Sequence, residues 1–93
     1  MRVKWLREAR ANLNAEAEYI SQDNPAAGRV VAAVESAVAG LAKHPAMGRP
    51  GRVVGTRELI VSGTPYVIPY RVRDNGVEVI RVFHGARRWP KKF

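Results

Sequence analysis

Tyr66-Val67-Ile68-Pro69-Tyr70-Arg71-Val72-Arg73, then Asp74-Asn75-Gly76, then Val77-Glu78-Val79-Ile80-Arg81-Val82-Phe83-His84 is the stretch that decides the fold. Two runs rich in β-branched and aromatic residues flank a turn signal, so they read as an antiparallel hairpin. A three-residue loop with Gly76 in the left-handed position pairs Arg73 with Val77. In that register Tyr66, Ile68, Tyr70 and Val72 share a face with Ile80 and Val82, the natural core. Val67, Arg71, Arg73, Val77, Val79, Arg81 and Phe83 then form the open face. A two-residue loop would carry Arg81 into the apolar set, so the longer loop is preferred. Pro69 has no N–H to give to a ladder and predicts a bulge or an unpaired position.

Working outward, Arg57 to Val61 reads as a further strand, with Ser62-Gly63-Thr64-Pro65 as its turn. His44 to Gly55 holds Pro45, Gly48, Pro50, Gly51 and Gly55 and is a loop by composition. Two helices precede it. Leu6, Ala9, Leu13, Ala17 and Ile20 recur at three- and four-residue steps, which places them on one face of a helix over about Arg7 to Ser21. Asn24-Pro25 is a start signal for a second helix, Asn as N-cap and Pro at the first helical position. Its stripe is Ala27, Val30, Val31, Val34, Val38 and Leu41, and Pro45 stops it. Arg2-Val3-Lys4-Trp5 alternates as a short half-buried strand does. The order is β-α-α-β-β-β. It describes an α+β domain, residues 1–93, with a helical hairpin packed on one face of an antiparallel sheet.

Ninety-three residues cannot supply two cores. An apolar fraction of 46% with 26% charged residues is ordinary for a folded globule. The chain has no cysteine, which removes disulfides, thiolate metal sites and a thiol nucleophile and suits a reducing cytosol. It shows no run of apolar residues long enough for a membrane span and no visible signal peptide. A cytoplasmic protein is therefore expected, with no membrane partner. Sixteen Lys and Arg against eight Asp and Glu give a net charge of +8, and twelve of the cations are Arg. Guanidinium forks match phosphates and carboxylates, so the excess, concentrated after Arg49, points to a polyanionic partner.

In this setting several stretches resemble the ParE/RelE toxin superfamily, in particular its ParE-like branch. They are Tyr19-Ile20, His44-Pro45-Ala46-Met47-Gly48-Arg49-Pro50-Gly51, Thr56-Arg57-Glu58-Leu59, Tyr66-Val67-Ile68-Pro69-Tyr70-Arg71-Val72, and Val82-Phe83-His84-Gly85-Ala86-Arg87-Arg88-Trp89-Pro90. The resemblance covers nearly the whole chain and implies the toxin of a type II toxin–antitoxin module. It implies a ParD-like acidic antitoxin, through which DNA would be contacted. It also implies one of two targets, DNA gyrase in the ParE-like branch or ribosome-bound mRNA in the RelE-like branch. A degenerate toxin that only binds its antitoxin in a repressor complex is a third possibility.

Cleavage of the RelE type needs a base for the ribose 2′-hydroxyl, cations at the phosphate and an acid for the leaving oxygen. Arg71, Arg81 and Arg87 would be the cations of such a nuclease. The C-terminal segment, where related nucleases place Tyr, here ends in Phe93 and has no hydroxyl to transfer a proton. That departure favours gyrase inhibition over catalysis. His84 reads as a structural histidine at a strand end, and His44 as a favourable partner for a helix C-terminus. No cofactor is expected, and two distant histidines without thiols do not make a metal site. Arg49, Arg52, Arg71, Arg73, Arg81, Arg87, Arg88, Trp89 and Phe93 are the candidate target- or antitoxin-binding residues. Trp89 and Phe93, beside Arg87, Arg88, Lys91 and Lys92, form a docking tail for gyrase or a nucleic acid, or else Trp89 folds back on the core and the lysines are solvated.

Overall fold

The computed structural model describes residues 1–23 and 27–93. The elements in chain order are β1 (Arg2–Trp5), α1 (Arg7–Asp23), α2 (Ala27–Ala39) running into a 3₁₀ turn (Gly40–Ala42), β2 (Arg49–Pro50), β3 (Arg57–Ile60), β4 (Tyr66–Arg73), β5 (Gly76–Val79) and β6 (Phe83–His84). They form one sheet ordered β1-β5-β4-β3-β2, with β6 also on β4. The sheet is antiparallel except at one edge, where β1 lies parallel to β5. The Asn24-Pro25 start signal lies outside the described residues.

The hairpin between β4 and β5 closes through two residues, which corrects the expected three-residue loop. Arg73 pairs with Gly76, and Asp74 and Asn75 between them hold φ of 54° and 59°. Two-residue hairpin turns of this kind need positive φ at both central positions, and Asp and Asn tolerate that region better than other side chains. The shorter turn moves every partner by one. Val77 and Val79 now lie opposite Val72 and Tyr70 and are fully buried in the core, whereas Ile80 turns to the reverse face.

A bulge removes the objection that Arg81 would then enter the core. Ile80 bonds to Pro69, while Phe83 pairs with Val67, so Arg81 and Val82 together oppose the single Ile68. The extra residue resets the alternation, returning Val82 to the core and releasing Arg81 outward. Pro69 is one cause. Ile80 N–H donates to the Pro69 carbonyl at 2.9 Å, but Pro69 has no N–H to donate in return. The Arg81 guanidinium donates to the Ile80 carbonyl instead, at 2.8 Å. The Val82 N–H, also freed by the bulge, donates to Asn12 Oδ1 on α1 at 3.1 Å.

The helices cover one face of the sheet along the stripes read from their periodicity. Ala9, Leu13, Val34, Val38 and Leu41 meet Leu59, Ile68, Tyr70, Val77, Val79 and Val82, all buried. The segment between the 3₁₀ turn and β3 is anchored on Tyr70, whose hydroxyl donates to the Pro45 carbonyl at 2.6 Å and accepts the Gly48 N–H at 2.9 Å. Only glycine fits at 48, because a Cβ there would stand 2.6 Å from the Tyr70 ring and 2.8 Å from the Glu58 carbonyl.

Candidate functional site

The reverse face of the sheet gathers most of the charge. From Arg49 onward the chain has ten Lys and Arg against three Asp and Glu, so these residues carry nearly all of the net +8. Strand alternation sets Glu58, Val67, Arg71, Arg73, Glu78 and Phe83 on this face, away from the helices.

Two carboxylates each hold two arginines. Glu58 is only 1% exposed, and its Oε1 accepts from Arg49 Nη2 at 2.9 Å and Nε at 3.2 Å. Its Oε2 accepts the Arg52 backbone N–H at 2.7 Å, and the Arg52 guanidinium lies 3.4 Å from Oε1. Glu78 accepts from Arg71 Nε at 2.7 Å, with Arg73 at 3.2 Å. The Arg71 bond, supported by the charges of Arg73 and Lys4, holds the Glu78 carboxyl below the usual carboxylate range. One carboxylate cannot cancel two guanidiniums, so both clusters remain net positive.

The C-terminal segment folds back over this face. Trp89 meets Phe83 edge-on at 5.0 Å between ring centres, and Phe93 lies 6.2 Å from the same ring. Guanidiniums occupy the ring faces: Arg52 over Trp89 at 4.0 Å, Arg87 over Phe83 at 4.6 Å and Arg81 over Phe93 at 5.4 Å. Trp89 and Phe93 are therefore half-buried structural rings, although exposed Arg87, Arg88, Lys91 and Lys92 surround them. Arg88, Lys91 and Lys92 make no ion pair among the described residues.

Between this segment and α1 runs a shallow groove of about 450 Å³, lined by Glu8, Asn12, Arg81, Phe83, Arg87, Arg88, Trp89 and Pro90. It unites Arg81, Arg87, Arg88 and Trp89 from the sequence reading. Arg71, Arg73 and Phe93 line a neighbouring depression with Val53 and Lys92, and Arg49 and Arg52 stand at Glu58. Glu8, Asn12 and Glu58 were missed. Glu8 and Asn12 read as the polar side of an ordinary helix, and nothing local separates a buried glutamate from a solvated one.

The histidines lie apart from this set. His84 is exposed, opposite Tyr66 in the sheet, and its Nδ1 accepts the Ala86 N–H at 3.2 Å. Tyr66 donates to Glu16 at 2.9 Å, and burial, together with that carboxylate, pushes its phenol up to about 12. No group of three or more potential metal-ligating His, Cys, Asp or Glu side chains occurs among the described residues. No helix of the described residues is long and apolar enough to cross a membrane.

This architecture and sequence have relatives. The family model of the ParE toxin of the type II toxin–antitoxin system, parDE, matches residues 3–89. The protein Y4kP of Sinorhizobium fredii is 45% identical over 97% of this chain and 94% of its own. Toxin RelE2 of Caulobacter vibrioides is 41% identical over 91% of this chain and 96% of its own. A chain of the chromosomal ParDE TA system from P. aeruginosa superposes with a TM-score of 0.80 at 30% identity, covering 90% of this chain and 95% of that one. Matched over nearly its whole length, the chain belongs to the ParE toxin family of type II toxin–antitoxin systems.

Proposed function

We propose that this toxin acts by inhibiting DNA gyrase and is held inactive by an acidic ParD-like antitoxin. The observation that carries this reading is the makeup of its cationic face, which has guanidiniums without the proton-transfer pair that RNA cleavage requires. Phe93 in the C-terminal segment packs on Phe83 and carries no hydroxyl, and His84 is not among the residues that line the arginine groove. Guanidinium stays protonated at any working pH and serves neither as acid nor as base. The acidic partner matches a net charge of +8, and the solved ParDE relative accords with an antitoxin partner.

A ribosome-dependent endoribonuclease is the second reading. It is favoured by Glu8, a carboxylate that lines the arginine groove, and by the relative named Toxin RelE2. Glu8 would serve as a base, but among the described residues that line the groove there is no acid for the leaving oxygen. Expression of the toxin without antitoxin separates the two. Plasmid DNA recovered from arrested cells should lose negative supercoiling while mRNA stays intact. Cleaved mRNA with normal plasmid topology would overturn the gyrase reading.

A further inference from the structure

We propose that the groove between α1 and the C-terminal segment is a phosphate site through which the toxin itself holds the backbone of duplex DNA. The proposal does not require gyrase and would hold if the target were another.

The carboxylates of the reverse face are already committed to Arg49, Arg52, Arg71 and Arg73. Arg81, Arg87 and Arg88 at the groove have no carboxylate partner among the described residues. Arg81 and Arg87 are nevertheless held in place, by the Phe93 and Phe83 rings respectively. A ring face fixes a guanidinium without neutralising it; Arg87 keeps its charged fork of N–H donors, and Arg81 keeps those that it does not give to the Ile80 carbonyl. The Trp89 Nε1–H is buried and has no hydrogen-bond partner among the described residues.

The same geometry selects among polyanions. An acidic helical peptide seats apolar side chains as well as charges. None of the exposed large hydrophobics (Met1, Tyr19, Met47, Val54, Ile60 and Val72) lines this groove. Single-stranded nucleic acid binds by stacking bases on free aromatic faces, and here guanidiniums lie over the rings of Phe83, Trp89 and Phe93. The groove's apolar lining is Phe83, Trp89 and Pro90, with guanidiniums over the two rings; uncancelled cations beside rings already covered suit a duplex backbone, contacted without sequence preference. Glu8 at the groove opposes a phosphate and should weaken the contact.

Fluorescence anisotropy of a short labelled duplex titrated with purified toxin tests this. Binding should be independent of sequence and fall steeply with salt. Arg88→Ala, at an exposed side chain, should lower affinity several-fold and make the log K against log salt slope shallower by about 0.9. Glu8→Gln should tighten binding, and Arg29→Ala on α2 should leave it unchanged. Absence of binding at low salt, or parental binding by Arg88→Ala, would overturn the proposal. So would tighter binding of single-stranded RNA, or displacement of the duplex by poly-glutamate at far lower charge concentration.

Discussion

Asn12 on the first helix accepts the backbone N–H of Val82 at 3.1 Å, joining residues 70 positions apart at the bulge that sets Arg81 outward. Asn12→Ala leaves that N–H without its partner, and an unsatisfied buried donor costs about 1–3 kcal/mol. Urea unfolding should show a loss of this size. Asn12→Asp retains the acceptor and should lose less.

Arg49 is half-exposed, yet removing it should cost more than removing the similarly exposed Arg73. The reason lies with their partners. Glu58 is 1% exposed and cannot exchange its lost donors for water, whereas Glu78 can. Arg49→Ala should lower stability by about 2 kcal/mol, in the range for a buried acceptor losing its donors. Arg73→Ala should leave the unfolding midpoint unchanged.

Tyr66 gives the fold an alkaline limit. Its phenol is raised from 10.0 to about 12, so folding favours the protonated form. That contribution is complete below pH 10 and is lost as pH rises through about 12. Tyr66→Phe has no phenol to ionise, so its stability should fall less steeply than the parent's over that window. Denaturant melts at several alkaline pH values would read this out.

Gly48 and Gly28 should respond in opposite senses to alanine. A Cβ at 48 collides with the Tyr70 ring and the Glu58 carbonyl, and relief would disturb the hydrogen bonds that anchor the loop. A loss of about 1–3 kcal/mol is expected for overpacking of this kind. At 28, within α2, a Cβ meets nothing within 4 Å. Gly28→Ala should stabilise by up to about 1 kcal/mol, and thermal melts of the two variants make the comparison.

The helices, the last meander and the faces of α1 and α2 were legible because their periods are long and regular. The β4–β5 register was not. It depended on whether Gly76 or the pair Asp74-Asn75 would take positive φ, and both choices satisfy local turn chemistry. Arg81 points toward the three-residue loop, because strict alternation under the two-residue turn places it in the core. The bulge breaks strict alternation, and its supports, Pro69 and Asn12, stand far apart in sequence. The cations of the site were visible as residues, but their pairing was not. Which arginines Glu58 and Glu78 claim, and which remain uncancelled, depends on strand neighbours and on the return of the C-terminal segment across the sheet.

Supercoiling of relaxed plasmid by purified DNA gyrase, with toxin added alone or together with its antitoxin, tests the central claim most directly. Inhibition by the toxin, relieved when the antitoxin is present, is the expected result. Undiminished supercoiling at toxin concentrations that arrest growth when the protein is expressed would contradict it.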